Sequence, residues 1–118
     1  MANVLVVEDD RGVQRLIAAT LDDEGHDVRA VGNGREALDA CAERMPDLIV
    51  LDVEMPVMDG REFVRAMSER SMSPPPVVLI SAHEAHRTAK ELGLRRWLQK
   101  PFDERRLVTE VSRALGAA

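Results

Sequence analysis

Short apolar runs alternate along the chain with longer stretches in which apolar residues recur at helical spacing. Continuous apolarity over about four to six residues is typical of strands buried on both faces, as in a parallel sheet covered by helices. Runs of this kind lie at 4–7, 28–31, 48–53, 77–80 and 97–98. The last run is the shortest and gives the weakest prediction of a strand. The pattern therefore predicts five buried strands.

Each predicted strand is followed by a stretch with an amphipathic helical pattern. In the first stretch the apolar stripe runs from Val13 to Leu21 at spacings of i, i+3, i+4, i+7 and i+8. The other helices are predicted from Asn33 to the stop at Pro46, over 61–70, over 84–92 and from Asp103 onward. The Pro-rich segment 71–76 is predicted to be a stiff connection. Five strand–helix units in succession predict an α/β fold with a parallel sheet and helices on both faces.

Composition restricts the classes of protein to which the chain can belong. A length of 118 residues predicts one domain over 1–118. The net charge of −5 argues against a nucleic-acid-binding surface, which needs clustered Lys and Arg. The single cysteine, Cys41, excludes an internal disulfide and a CxxC motif, and we interpret it as a small core residue. No apolar run approaches the length of about 18 to 20 residues that a membrane span needs, so we expect a cytoplasmic protein that binds neither nucleic acid nor membranes.

Strongly polar side chains come directly after four of the predicted strands. Glu8 and Asp9 follow the first strand, and Asp52 ends the third. Ser81 follows the fourth strand and Lys100 follows the fifth. Because the carboxyl ends of parallel strands share one rim of the sheet, we expect these side chains to converge there.

The converging residue types suit the chemistry of a phosphoryl group. Carboxylates gathered on one rim repel one another and need a cation or an ammonium to stay ionised. Hard carboxylate oxygens with no His or Cys among them favour Mg²⁺ over zinc. Together with the metal, the Lys100 ammonium and the Ser81 hydroxyl are suited to the equatorial oxygens of a phosphoryl group in transfer. Asp52 is then the candidate nucleophile, since carboxylates form aspartyl-phosphates.

Ordinary structural roles compete with the chemical ones for several polar residues. Asp10 directly precedes the first helix, and a helix cap is the favoured interpretation for it. Ser81 has two equally weighted interpretations, because Glu84 stands at the capping-box spacing from it. His83 and His86 lack a third ligand for zinc and are predicted to be exposed. The methionines show no helical periodicity, and we interpret them as filler.

Four motifs carry a resemblance to a known family: VLVVEDD at 4–10, LIVLDVEMPVMDG at 48–60, VVLISAH at 77–83 and LQKPF at 98–102. With these motifs in this order, the sequence resembles the receiver domain of two-component response regulators over nearly the whole chain. The resemblance implies a flavodoxin-like (βα)5 fold, doubly wound around a five-stranded parallel sheet of order 2-1-3-4-5. It also implies that the protein is not an enzyme in its own right, but a phosphoacceptor that takes part in its own phosphorylation and dephosphorylation.

The resemblance assigns an acceptor and its metal ligands, position by position. Asp52 receives the phosphoryl group from a phosphohistidine on a histidine kinase or phosphotransfer protein. The carboxylates of Asp9 and Asp52 ligate Mg²⁺ directly. Glu54 contributes its backbone carbonyl, and Glu8 acts through water. Lys100 pairs with the phosphoryl group.

The resemblance also implies a conformational switch. Ser81 is the hydroxyl that moves toward the phosphoryl group, and Trp97 occupies the place of the aromatic residue that rotates inward with it. The signal is read on the face formed by the fourth helix, the fifth strand and the fifth helix, by a downstream target or output domain or in a homodimer. Glu54 and His83 occupy two variable positions that tune the lifetime of the phosphoryl group, and we expect them to interact and to obstruct attacking water.

Two features of the sequence depart from the family pattern. The Trp97 indole is bulkier than the usual Tyr or Phe, which predicts hindered rotation and a partial switch. The segment 81–93 is shorter than usual by about three residues, nearly one helical turn. The shorter segment predicts an altered docking surface around the fourth helix.

Two other functions are compatible with parts of the pattern. A phosphatase of the haloacid dehalogenase type also places Asp, Ser and Lys around Mg²⁺, but its nucleophile lies in a DxD motif on the first strand, and 118 residues leave no room for a cap domain. A phosphorylation-independent interaction module would keep the same site without using it. A receiver that stands alone and one that belongs to a larger regulator or hybrid kinase fit the sequence equally well.

Overall fold

Strands and helices alternate five times in the computed structural model, which describes residues 1–70 and 74–116. The strands are β1 (Asn3–Val7), β2 (Asp27–Val31), β3 (Leu48–Asp52), β4 (Val77–Ser81) and β5 (Arg96–Gln99). The helices are α1 (Arg11–Asp23), α2 (Gly34–Glu43), α3 (Gly60–Arg70), α4 (Ala85–Glu91) and α5 (Glu104–Leu115). The predicted strand–helix units are confirmed, but the prediction that all five strands are buried is wrong for the two edge strands, because β2 has no buried residue and β5 has one. The first half of the predicted connection 71–76, with Met72, lies outside the described residues.

The sheet has the predicted order, β2-β1-β3-β4-β5, and its strands are parallel. The chain passes outward from β1 to β2 and then crosses back to β3 on the other side of β1. The carboxyl ends of β1 and β3 are therefore neighbours at the point where the order reverses. In doubly wound sheets the crevice outside this reversal is where ligands bind.

Two apolar layers cover the faces of the sheet, because alternate residues of each strand point to opposite sides. Val4 and Val6 of β1 face the layer that α1 and α5 cover, with Ile17 and Leu107 among its buried side chains. The odd-numbered positions of β1 face the other layer, covered by α2, α3 and α4, in which Phe63 is buried. Every residue of β3 is buried, as expected for a central strand covered on both faces.

Three of the five helices begin after the capping residue that the sequence indicates. Asp10 accepts a hydrogen bond from the Val13 N–H at 3.1 Å and so caps α1, as predicted. Asn33 and Asp103 cap α2 and α5 in the same way. α4 differs, because it begins at Ala85 and its N-cap residue makes no side-chain cap hydrogen bond. The interpretation of Ser81 as the cap of this helix is wrong, since Ser81 is the last residue of β4.

The sulfur-containing residues have varied surroundings. Cys41 is buried in the layer under α2, as predicted, and burial raises the pKa of its thiol against the opposing charge of Arg29. Met67 is part of the same core, whereas Met45 is exposed. Among the described residues, the helices are all too short or too polar to cross a membrane.

Candidate functional site

Three carboxylates meet at the rim where β1 and β3 end, as predicted. Glu8 follows β1 and is fully buried, and Asp52 ends β3 with 2% of its surface exposed. Asp9 lies beside them and is exposed. One oxygen from each of the three lies within 4.8 Å of the other two, so together they can hold a metal ion.

Lys100, which follows the edge strand β5, completes the cluster. Its Nζ lies 2.6 Å from Glu8 Oε1 and 3.3 Å from Asp52 Oδ1. The Lys100 N–H also donates to the Ser81 carbonyl at 2.7 Å, which places Lys100 immediately after the pairing of β4 with β5. The Lys100–Pro101 peptide bond is cis. The fold thus brings together two residues that are 92 positions apart in the chain.

The two buried carboxylates differ in how well they are hydrogen bonded. Both oxygens of Glu8 have donors: Lys100 Nζ on one, and the Asp10 N–H at 3.2 Å on the other. Asp52 Oδ1 is buried without a hydrogen-bond partner, and its 3.3 Å contact with Lys100 Nζ is an ion pair. An acceptor left unpaired in the interior costs free energy. The unpaired oxygen therefore marks the place where the site is short of positive charge.

The pKa values of Asp52 and Lys100 also reflect the shortage of positive charge in the site. The pKa of Asp52 is raised to about 7, because burial and the charge of Glu8 disfavour the ionised form and the Lys100 ammonium only partly opposes them. Burial alone lowers the pKa of Lys100, but its hydrogen bond to Glu8 and the charge of Asp52 outweigh burial, so the pKa is raised. One ammonium faces three carboxylates, and a divalent cation is the group that relieves such an arrangement.

Ser81 lies on the same rim, and its hydroxyl is bonded to its own loop and to Glu54. Ser81 Oγ is 2.9 Å from the His83 carbonyl and 3.2 Å from Glu54 Oε1, and it accepts from the His83 N–H at 3.1 Å. Among the described residues, the side chains of Glu54 and His83 share no hydrogen bond or ion pair with each other. Ser81 instead connects the Glu54 carboxylate to the backbone of His83.

Trp97 is half-buried on β5 and stacks against a histidine that the sequence analysis left without a role. The ring centroids of Trp97 and His86 are 4.8 Å apart, with 15° between the planes. Both His83 and His86 are exposed, as predicted. The stack had no sequence signal, because it depends on how α4 lies against β5.

Two further residues position the site, although no sequence pattern indicates them. Gln99 of β5 donates from Nε2 to the Ala82 carbonyl at 2.6 Å and accepts from the Ala85 N–H at 2.9 Å. It therefore holds the loop that follows Ser81. Gln14 of α1 donates to the Glu8 carbonyl at 2.9 Å and to the Val31 carbonyl at 3.0 Å. A single glutamine on a helix or strand gives no sequence signal for either role.

The turn at Asp59 and Gly60 packs directly on the acceptor strand. Asp59 Oδ1 accepts from the Glu62 N–H at 2.9 Å, and Glu62 Oε1 accepts from the Asp59 N–H at 3.2 Å, which is a capping box for α3. A Cβ atom on Gly60 would lie 2.5 Å from the Asp52 carbonyl oxygen. Only glycine allows α3 to begin this close to Asp52.

Comparison with known proteins gives the family. The family model for the response regulator receiver domain matches residues 4–112. The transcriptional regulatory protein PcoR of Escherichia coli is 34% identical over 120 residues, covering 100% of this chain and 53% of that protein. The sensor histidine kinase GacS of Pseudomonas protegens is 38% identical over 122 residues, covering 98% of this chain and 13% of that protein.

Solved structures give the same answer. The chemotaxis response regulator CheY4 of Vibrio cholerae superposes with a TM-score of 0.86 at 34% identity, covering 98% of this chain and 99% of that one. The receiver domain of NtrX from Brucella abortus gives a TM-score of 0.89 at 32% identity, covering 98% and 100%. The chain spans about half or less of the length of the two curated relatives described above. With a matching family model, relatives of this identity and the predicted sheet order, the chain belongs to the response regulator receiver domain family of two-component systems.

Proposed function

We propose that Asp52 is the phosphoacceptor of this receiver domain and takes its phosphoryl group from a phosphohistidine. The observation that carries the proposal is the state of the Asp52 carboxylate. It is buried beside Lys100, its pKa is raised to about 7, and its Oδ1 has no hydrogen-bond donor. A carboxylate that is short of positive charge in this way is suited to a cation and to an electrophilic phosphoryl group.

The residues present fit Mg²⁺. Asp9 and Asp52 would hold it through their carboxylates and Glu54 through its backbone carbonyl. Glu8 would act through water, which agrees with its two oxygens already being bonded to Lys100 and the Asp10 N–H. When bound, the metal supplies positive charge to the oxygens of the carboxylate and the phosphoryl group.

The transfer itself needs little covalent chemistry from the protein. An Asp52 oxygen forms a new P–O bond as the P–N bond of the donor breaks, and the electron pair of that bond stays on the donor imidazole. The Lys100 ammonium, which contacts Glu8 and Asp52 before transfer, pairs with oxygens of the transferred phosphoryl group. The aspartyl phosphate carries about two negative charges at neutral pH where the carboxylate carried one, so the Lys100–Glu8 pair is the first contact that phosphorylation perturbs.

Ser81 and Trp97 are the residues through which the proposed site signals. Ser81 exchanges its bonds to Glu54 and His83 for the phosphoryl oxygen, and Trp97 follows on the surface formed by α4, β5 and α5. The bulky indole and the seven-residue α4 accord with the partial switch and the altered docking surface predicted for this chain. Glu54 and His83, linked through Ser81, are proposed to tune the phosphoryl lifetime.

The partners follow from this chemistry. The donor is a histidine kinase or phosphotransfer protein, and the recipient of the signal is a downstream protein or output domain on the α4–β5–α5 surface, on which a homodimer is the alternative occupant. The proposal includes a cytoplasmic location and one domain over 1–118. The protein is a phosphoacceptor that takes part in its own phosphorylation and dephosphorylation.

Incubation with acetyl phosphate and Mg²⁺, followed by intact-mass measurement, tests the acceptor. We expect a phosphate-sized mass gain in the wild type and none in Asp52→Asn. Equal gains in both proteins would move the acceptor elsewhere. Multiple turnover on a phosphate monoester would favour the phosphatase alternative, and a wild type that binds neither phosphoryl group nor beryllofluoride would favour the phosphorylation-independent module.

The lifetime role has its own test. We expect the double variant Glu54→Ala with His83→Ala to lose its phosphoryl group faster than the wild type, because attacking water is less obstructed. Autodephosphorylation rates equal to the wild-type rate would contradict this role.

A further inference from the structure

The loop between β4 and α4 is held by the side chain of Gln99, a residue that the phosphoacceptor site does not use. Gln99 Nε2 donates to the Ala82 carbonyl at 2.6 Å, and Gln99 Oε1 accepts from the Ala85 N–H at 2.9 Å. The Ala82 carbonyl lies at the beginning of the loop that follows Ser81, and the Ala85 N–H belongs to the first residue of α4. We call this pair of hydrogen bonds the Gln99 clamp.

One half of the clamp acts on a peptide group that also binds the Ser81 hydroxyl. The peptide between Ala82 and His83 has its carbonyl on Gln99 Nε2 and its N–H on Ser81 Oγ. A peptide group is planar and rigid, so a partner that holds the carbonyl also sets the direction of the N–H. Gln99 therefore orients Ser81 through one rigid plane.

The other half of the clamp acts on the start of α4. Glu84 occupies the N-cap position with a left-handed φ of 45° and forms no side-chain cap hydrogen bond. The first N–H groups of a helix have no partner within the helix. Gln99 Oε1 supplies an acceptor for one of them from the neighbouring strand, so the two halves of the clamp are separable by substitution.

We propose that Gln99 is a positioning residue that holds Ser81 in the arrangement of the unphosphorylated site. The inference rests on the proposed function, in which Ser81 leaves its loop to reach the phosphoryl group. When Ser81 leaves, the His83 N–H loses its acceptor unless the Ala82–His83 peptide turns. The clamp on the Ala82 carbonyl opposes that turn and so favours the unswitched arrangement.

The variants Gln99→Glu and Gln99→Met separate this role from simple helix capping. Glutamate keeps an acceptor for the Ala85 N–H but cannot donate to the Ala82 carbonyl. Methionine has a similar length and removes both bonds. Arg95→Gln, at an exposed position just before β5, is the control. Beryllofluoride at saturating Mg²⁺, followed by amide chemical shifts, reports the switch, and urea unfolding reports stability in the same proteins.

We expect both Gln99 variants to reach half-saturation at about fivefold lower beryllofluoride than the wild type, since loss of one ordinary hydrogen bond from the unswitched state changes the equilibrium by about that factor. The control should match the wild type. Unchanged midpoints in both variants, with the wild type still responding, would overturn the inference and leave the proposed function standing. A wild type without any response would overturn both.

Hydrogen exchange in the metal-free protein tests the clamp without the switch. In Gln99→Glu we expect the His83 amide to exchange several-fold faster while the Ala85 amide keeps its protection. Equal exchange at His83 in the variant and the wild type would show that Gln99 does not hold the peptide plane, and would overturn the inference whatever the beryllofluoride result.

Discussion

The two halves of the site are built from different kinds of interaction. On the β1–β3 side the backbone is held by apolar packing, and every residue of β3 is buried. On the other side β4 is also buried, but the edge strand β5 is four residues long with only Leu98 buried, and α4 has seven residues. That side is held by side-chain bonds, such as those of Gln99 to the loop and of Arg61 to Thr88 and Glu91.

The two sides also differ in the charge of their side chains. All but four of the 21 acidic residues lie before position 85, whereas half of the 16 basic residues lie after it. The acceptor side is therefore rich in carboxylates, and Lys100 reaches it from the side rich in cations. The β4–β5 side can therefore rearrange at a lower cost in free energy than the β1–β3 side. Breaking a single hydrogen bond costs about 1 kcal/mol, whereas shifting a packed central strand disturbs many contacts at once.

The largest expected effect is on the packed side. Gly60→Ala places a Cβ atom 2.5 Å from the Asp52 carbonyl oxygen, so α3 or β3 must move. We expect a loss of about 3 kcal/mol in the free energy of unfolding, measured by urea denaturation. Gly12→Ala in α1 is the matched control, since its new Cβ meets only the side-chain oxygen of Asp10. Equal stabilities of the two variants would show that α3 and β3 accommodate the new Cβ atom without a packing cost.

Asp52→Asn is expected to stabilise the metal-free protein at pH 8 by about 1–3 kcal/mol. The folded-state pKa of Asp52 is raised from 3.8 to about 7, because burial and the Glu8 charge disfavour ionisation. Protonated Asp52 therefore contributes stability below about pH 4, and this contribution is lost as the pH rises through about 7. The variant should lack this loss, and Mg²⁺ should reduce the difference between the two proteins.

Urea unfolding at several pH values, with and without Mg²⁺, measures this effect. The comparison between wild type and Asp52→Asn removes the contributions of other titrating groups. A wild type that gains stability relative to the variant between pH 4 and pH 7 would contradict the raised pKa.

Arg61→Ala tests the side-chain bonds that hold α4. Its guanidinium donates to the buried Thr88 hydroxyl at 3.2 Å and pairs with Glu91 at 2.9 Å. We expect the loss of the Thr88 bond to cost about 1 kcal/mol, and hydrogen exchange to rise in α4 but not in β3. Arg87→Ala is the control, because this arginine is 71% exposed and its ion pairs with Glu84 and Glu91 lie on the surface, without a bond to a buried group. Faster exchange in β3 as well would mean that the two sides do not open independently.

The smallest effect is expected at the Trp97 stack. His86→Ala removes the ring 4.8 Å from the indole, and we expect a loss of about 0.5 kcal/mol together with a weaker near-ultraviolet circular dichroism signal from Trp97. Lys90→Ala, exposed on the same helix, should leave the signal unchanged. An unaltered signal in His86→Ala would show that the stack does not orient the indole.

Sequence predicts the framework of this molecule better than its polar contacts. The apolar runs predict β1, β3 and β4 because a buried strand in a parallel sheet has almost no other composition. The convergence of Asp52 and Lys100 follows from the same pattern, through the rule for strand ends. The distances do not follow, because the 2.6 Å pair between Lys100 and Glu8 depends on how far β5 extends past β4.

Three details had no local signal at all. The interpretation of Ser81 as a helix cap was wrong because the chain turns through a left-handed residue, Glu84, before α4 begins. The acceptor for the Ala85 N–H comes from Gln99, 14 residues away, on another element. The close approach of Gly60 to Asp52 is a matter of packing, and the DG pair indicates only a turn.

The burial of Cys41 has a practical consequence. A thiol that is buried and whose pKa is raised has little thiolate at neutral pH, so maleimide and iodoacetamide reagents should leave the folded wild type largely unmodified. A cysteine introduced on the exposed side of α4 or β5 would then be labelled selectively with a spin probe or fluorophore. The natural cysteine need not be removed, which keeps the core intact while the environment of the label is followed in solution.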